Sequence, residues 1–273
     1  MGRRALPLRR EPSLNAARPT RRATGSRMTS LPEWLLPVLL FGSAALYTSV
    51  GHAGASAYLA SMALVGVAPE TMRPTALVLN IFVAGFSAVR FWRAGLIDRK
   101  LALWLILGAA PLAFVGGAVK LPGDIYRPLV GVLLIVAAIR LLLPIAVTAN
   151  REPKRPHPAL AVGTGGLIGL LSGLTGTGGG IFLSPILIFG GWAATRNASG
   201  VAISFILANS TFGLLGNLAS VQRLPGEIPL YVAAALLGAL VGTALGVKRL
   251  PSGGILKALG VVLVIAGLKL ILT

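Results

Sequence analysis

Two glycine-rich breaks hold the residues of this chain that could meet a ligand. Gly51-His52-Ala53-Gly54-Ala55-Ser56 interrupts one apolar stretch, and Gly176-Thr177-Gly178-Gly179-Gly180 interrupts another. A break inside a membrane helix exposes backbone N–H groups backed by the positive end of a half-helix dipole. Such an arrangement holds an anion without a charged side chain. Gly51, Gly54, Gly176, Gly178, Gly179 and Gly180 permit the φ values a break needs and let a ligand approach the backbone. Thr177 adds a hydroxyl donor. His52, at the matching place in the first break, could donate a hydrogen bond or carry charge near neutral pH. The competing role for such glycines is close helix packing by small residues, and that is the reading for Gly238, Gly242 and Gly246. For His52 it is a plain hydrogen bond inside a helix bundle.

Asn80 and Asn209 stand in the middle of two further apolar stretches. A buried amide needs partners, so each either bonds across helices or lines a path for the solute. Thr75, Ser204 and Ser210 are pore-lining candidates, although the hydroxyls of Thr75 and Ser204 could equally bond to the preceding helical turn. The acids are informative by position. Glu11, Glu33, Glu70, Asp98, Asp124, Glu152 and Glu227 all lie in the N-terminal tail or in connections. An intramembrane carboxylate is the usual proton relay or cation ligand, so a carboxylate-based cation carrier is disfavoured and an anionic or neutral solute stays open. A membrane enzyme pairing His52 with Ser56 or Thr177 would need a carboxylate to orient the base, and no stretch supplies one. With no Cys and two His, no metal site, cofactor or catalytic set is expected. No Gly-Lys-Ser or Gly-Lys-Thr follows the glycines, so they are not a nucleotide loop.

The elements that must position these residues are membrane helices. The chain has 273 residues, 55% hydrophobic and only 12% charged, with a mean hydropathy of +0.83. These values belong to the membrane class. The net charge of +18 does not argue for nucleic acid, because the basic residues gather in an N-terminal tail or flank apolar stretches, Arg73 among the latter. Residues 1–33 are Arg-rich, lack apolar periodicity and are expected to be disordered. Met28 opens Met-Thr-Ser-Leu-Pro-Glu-Trp directly before the first stretch and is a candidate start. Apolar stretches then follow at 34–66, 74–93, 101–119, 127–147, 159–190, 197–220, 228–247 and 254–272. Most are near the ~20 residues that cross a bilayer. The two that carry the breaks would make straight helices of about 50 Å, so each is expected to be a broken helix or a re-entrant hairpin.

The chain repeats. Gly51 precedes Gly176 by 125 positions, and beyond the breaks the offset is 129: Thr75 with Ser204, Asn80 with Asn209, Asp98 with Glu227, and Lys120-Leu121-Pro122 with Arg249-Leu250-Pro251. The expected fold is an all-α integral membrane protein of about eight transmembrane segments in two repeated four-segment halves. Residues 34–149 form the first half, 150–158 a polar linker and 159–273 the second. Four crossings per half would leave the halves parallel; three crossings and a hairpin would invert them. The basic residues do not decide the orientation once the tail is set aside.

The double glycine-rich break, Pro185 after the second one and the Asn209-Ser210 pair resemble the sulfite exporter TauE/SafE family, also called the toluenesulfonate uptake permease family. Gly51–Ser56 with Ala68-Pro69-Glu70 and Arg73-Pro74-Thr75-Ala76-Leu77 resembles one branch of it. The resemblance covers roughly residues 34–272. It implies a secondary transporter of small anions, typically sulfur-containing ones such as sulfite or organosulfonates. The first break departs from the family's fuller glycine run: Ala53 and Ala55 stand where the second has Gly178 and Gly180, and His52 intrudes. The expected partners are a small anionic solute and the lipid bilayer of a cell inner membrane, with no nucleic acid; a homo-oligomer stays open. The competing function is a non-transporting membrane scaffold or assembly factor.

Overall fold

The computed structural model describes residues 32–49, 51–142, 153–218, 224–248 and 253–272. The readings of residues 1–31, with the candidate start at Met28, and of Asn150–Glu152 and Arg249–Pro251 lie outside the described residues. Among the described residues every secondary-structure element is a helix. The helices are α1 (Leu35–Ser49), α2 (Ala55–Val65), α3 (Pro69–Arg93), α4 (Arg99–Ala118), α5 (Gly123–Leu142), α6 (Pro158–Thr175), α7 (Gly180–Phe189), α8 (Thr195–Gly216), α9 (Ile228–Lys248) and α10 (Gly253–Leu272). The boundaries follow local chemistry. Pro69 and Pro158 open α3 and α6, where a missing N–H costs nothing. Asp98 caps α4 by accepting from the Leu101 N–H at 3.2 Å. Gly66 and Gly176 close α2 and α6 with φ of +83° and +82°, a conformation that side chains with a Cβ rarely adopt. α3 begins five residues earlier than the apolar pattern predicts, because its first turns carry Glu70 and Arg73 and still form helix.

Both long apolar stretches fold back on themselves. The Ser43 and Ser61 hydroxyls meet at 3.3 Å, although they lie 18 residues apart on α1 and α2. On one continuous helix they would stand about 27 Å apart. In the second stretch the Lys154 N–H, before α6, donates to the Gly191 carbonyl, after α7, at 2.8 Å. The glycine breaks are therefore the tips of two helical hairpins, α1–α2 and α6–α7.

Backbones approach closely through small residues, the packing that replaces a hydrophobic driving force in lipid. A Cβ at Gly165, Gly169 or Gly173 of α6 would stand 2.1, 2.5 or 2.2 Å from the carbonyl oxygen of Leu105, Ala109 or Ala113. The residue numbers rise together, so α4 and α6 run parallel. Gly238 and Gly242 of α9 meet the Phe41 and Ala45 carbonyls of α1 in the same way, at 2.2 and 2.1 Å, and this pair is parallel too. That is the packing role read for both glycines from their spacing. α3 runs antiparallel to α8, with Leu77 against Gly213 and Gly85 against Leu207. α5 runs antiparallel to α10, with Gly131 against Gly267 and Leu142 against Gly260. Five described stretches are long and apolar enough to cross a membrane: Pro69–Arg93, Arg99–Ala118, Gly123–Leu142, Pro158–Thr175 and Asn197–Gly216. Large apolar side chains such as Phe82, Val89, Leu103, Leu107, Leu237 and Ile265 face outward. In water that surface would be a liability; in lipid it is the solvated face. The molecule is an all-α membrane protein.

Candidate functional site

The two hairpin tips meet at one small cavity. Its walls include Tyr47, His52, Ala53, Gly54, Ala55 and Ser56 from the first hairpin and Thr177, Gly180 and Ile181 from the second, with Asn80 of α3 and Ile206 of α8 completing it. Its volume is about 10 Å³, room for about one water. Asn80 is the twelfth of the 25 residues of α3 and Ile206 the twelfth of the 22 of α8, so the cavity lies at mid-height of both helices.

The sequence sets the electrostatics of this cavity through glycine. α2 and α7 both begin on its wall. Their N-cap residues are Gly54 (φ +104°) and Gly179 (φ +78°), and neither brings a side-chain acceptor to the first N–H groups. The first amides of a helix have no intrahelical carbonyl to bond, so two positive helix ends point at one space. No Asp, Glu, Lys or Arg lines it. The Asn80 amide donates to the Ser210 hydroxyl of α8 at 3.2 Å, while its buried Oδ1 has no partner among the described residues. Turned over, Asn80 would accept from the Ser210 hydroxyl and leave its NH₂ group to donate elsewhere. The His52 Nε2 lies 2.8 Å from the Ser184 hydroxyl of α7, joining the two hairpins. The Tyr47 ring meets the His52 ring edge-on, with centroids 6.3 Å apart, and the Tyr58 hydroxyl holds the Ala53 carbonyl at 2.5 Å.

The other candidates surround the cavity in different ways. Gly178 (φ +72°) abuts Asn80: a Cβ there would stand 2.6 Å from its Nδ2. A Cβ on Gly179 would stand 3.1 Å from the Asn209 Nδ2 and 2.8 Å from Ile168. Gly51 packs on Ser199, and Gly176 packs on the Arg73 backbone. Asn209 is fully buried, off the cavity wall, and neither atom of its amide group has a partner among the described residues. Thr177 shares a 3.1 Å hydroxyl contact with Thr175. Ser204 bonds to the Gly200 carbonyl one turn back at 3.0 Å, whereas the buried Thr75 hydroxyl has no partner among the described residues. No group of His, Asp or Glu that could hold a metal occurs among the described residues.

The family model for sulfite exporter TauE/SafE matches residues 35–270. The chain belongs to the sulfite exporter TauE/SafE family. It is thus a multi-pass membrane protein of a transporter family. It is 36% identical over 244 residues to "Probable membrane transporter protein y4hK" of Sinorhizobium fredii (strain NBRC 101917 / NGR234), covering 86% of this chain and 97% of that protein. It is 25% identical over 260 residues to "Probable membrane transporter protein YjnA" of Bacillus subtilis (strain 168), covering 87% and 98%. No solved structure matches the chain.

Arg73 is a correction to the sequence reading, which placed it in a connection. It is buried, at 6% exposed, and its guanidinium donates to the Val119 carbonyl at 2.9 Å, to the Gly116 carbonyl at 2.7 Å and to the Gly117 carbonyl. It binds the last turn of α4, whose carbonyls lack intrahelical donors and carry the negative end of the helix dipole. Tyr47, Ser184 and Ile206 were also missed. Each sits in an ordinary apolar run, and only the fold brings it to the glycine breaks.

Proposed function

We propose that this member of the TauE/SafE family is a secondary transporter that carries a small anion across a cell inner membrane, with sulfite or an organosulfonate as the substrate class. One observation carries the reading: two helix N-termini meet at a mid-height cavity with no charged side chain on its wall. The amides of Ala55, Ser56, Gly180 and Ile181 would bind the oxyanion, with Asn80, Thr177 and His52 as side-chain donors. Gly51, Gly54, Gly176, Gly178 and Gly179 shape the tips, and Asn209 and Ser210 buttress them. Thr75 and Ser204 flank the path.

In this reading residues 34–149 and 159–273 are inverted repeats. Each holds one re-entrant hairpin and three crossings, so two of the eight apolar stretches are hairpins. The antiparallel pairing of α3 with α8 and of α5 with α10 supports inversion. A cavity of about 10 Å³ is smaller than a sulfite ion of four heavy atoms, so the hairpins must part to admit one. Rocking of one half against the other supplies that motion. No nucleotide-binding motif occurs in the chain, and the driving force is an ion gradient or the membrane potential.

The test is anion-dependent thermal stabilisation of the detergent-purified protein, screened over sulfite, sulfate, methanesulfonate and benzenesulfonate. A ligand at about 100 times its dissociation constant adds about 2.7 kcal/mol. Stabilisation by sulfite or a sulfonate, with uptake of the same anion into proteoliposomes, supports the reading. No stabilisation of a folded protein by any of the four, and no flux, would transfer the weight to a membrane scaffold.

A further inference from the structure

The transport reading leaves the coupling ion unassigned, and the cavity holds one group suited to that task. Its ionisable wall residues are His52 and Tyr47. Tyr58 of α2 stands behind them, bonded to the Ala53 carbonyl. The elements opposite contribute Asn80 from α3, Ser184 and Ile181 from α7, and Ile206 from α8, none of which titrates. The described acids are at helix ends or in connections, Glu70 and Asp124 in first turns and Asp98 at a cap. Of the residues on this wall, only the imidazole changes charge within the ordinary pH range.

Resting on the anion reading above, we propose that His52 is the proton-coupling residue: it takes up one proton as the anion enters the cavity and releases it as the anion leaves. The argument is electrostatic. With the cavity free of anion, an imidazolium would face two positive helix ends across a wall that carries no Asp or Glu, so the neutral ring is favoured. An anion seated on those same amides reverses the balance and draws a proton onto the ring. The proton comes from the water that admits the anion and returns to the water on the other side, so a monoanion and its proton cross together with no net charge. Protonation also changes a contact between the hairpins. The neutral Nε2 can either donate to or accept from the Ser184 hydroxyl 2.8 Å away, whereas the imidazolium can only donate. Loading therefore fixes the direction of the bond that ties the two hairpin tips together.

Coupling is reciprocal: if the anion favours the proton, the proton favours the anion by the same factor. The test measures anion affinity against pH in the full-length protein. It uses whichever of sulfate, methanesulfonate and benzenesulfonate stabilises most, since their charge is constant over the range. Affinity should be highest at low pH and fall by up to about tenfold per pH unit between the His52 pKa of the free protein and that of the complex. In that window, mixing in weak buffer should consume about one proton per anion bound. His52→Gln keeps a hydrogen-bonding side chain but cannot titrate; it should bind with the weaker, high-pH affinity at every pH and take up no proton. His157→Gln leaves His52 as the sole histidine of the chain, and its ring proton resonance should titrate at higher pH when the anion is added. This holds even if His52→Gln fails to fold. Anion binding without pH dependence or proton uptake, or an unmoved His52 titration, overturns the coupling and leaves the anion reading standing. Binding of sulfite alone removes the coupling as stated, and binding of none of the four anions removes both.

Discussion

Asn80 on α3 reaches across to Ser210 on α8 with a 3.2 Å hydrogen bond, at mid-height of both helices and beside the cavity where two helix ends converge. The contact joins the antiparallel pair α3 and α8. Its two residues are not repeat equivalents, because Asn80 matches Asn209 in the sequence. Asn80→Leu should remove a cavity donor and leave the buried Ser210 hydroxyl without this partner. A stability loss of about 1–3 kcal/mol is expected for a buried polar group stranded in this way, together with loss of anion-induced stabilisation. Asn80→Asp should fold better than the leucine variant yet bind anion worse than the native protein, because a carboxylate would repel it. Thermal melts with and without anion separate the two effects.

Two glycines of α6, two residues apart, should respond in opposite directions. A Cβ at Gly163 meets nothing within 4 Å, whereas a Cβ at Gly165 meets the Leu105 carbonyl at 2.1 Å. Gly163→Ala should raise stability by up to about 1 kcal/mol through helix propensity. Gly165→Ala must push α4 from α6 and should lower stability by about 1–3 kcal/mol, the usual range for overpacking. Equal effects of the two substitutions would refute the parallel α4–α6 packing.

Arg73→Lys should destabilise although the charge is kept. A lysine ammonium cannot match the planar fork that bonds three carbonyls of the last turn of α4 and the residue after it. Loss of at least two such charge-assisted bonds predicts a cost of about 2 kcal/mol or more, read as a fall in melting temperature. The loss should persist at high salt, because the site is buried and screened little.

How far the sequence carried follows from these same residues. The breaks at Gly51–Gly54 and Gly176–Gly179 were legible because positive φ is a local requirement, and five of the glycines there have it. Whether each break made a kink or a hairpin was not legible: both need the same glycines, and the choice rests on contacts between distant segments such as Lys154 with Gly191. Asn80 and Ser210 were both singled out from their places in apolar stretches, but not as partners, because repeat matching pairs equivalents rather than neighbours. Arg73 was misplaced since a cation beside Pro74 looks like a connection until the α4 carbonyls that it caps are in view. Tyr47 and Ser184 carried no sequence signal at all.

Gly178→Ala should weaken both the fold and the proposed anion site. The residue sits at φ +72°, and an added Cβ would stand 2.6 Å from the Asn80 Nδ2. The left-handed conformation costs an alanine about 1–2 kcal/mol, and the methyl group must displace the Asn80 amide from the cavity wall. Anion affinity should fall tenfold or more, about 1.4 kcal/mol, in equilibrium binding to the folded variant. Unchanged affinity would separate this glycine from the site.

The fold-back of the first long apolar stretch can be tested with one chemical cross-link. The native chain has no cysteine, so Ser43→Cys with Ser61→Cys introduces the sole thiol pair. The hydroxyl oxygens lie 3.3 Å apart, close enough for side-chain rotation to bring two sulfurs to the ~2 Å of a disulfide bond. Mild oxidation in the membrane should close an intramolecular bridge in most of the protein, and maleimide labelling of the denatured chain should then fail until a reductant is added. The single variants should label before and after oxidation. A kinked but continuous helix holds residues 43 and 61 too far apart for any bridge, so full labelling of the oxidised double variant would rule out the hairpin. Without the hairpin, α2 would not start at the cavity and the convergence of two positive helix ends on one space would be lost. The same bridge also addresses motion. It ties α1 to α2 within one hairpin and leaves the contact between hairpins alone, so anion binding should survive it, whereas a bridge placed between the two hairpin tips should block exchange.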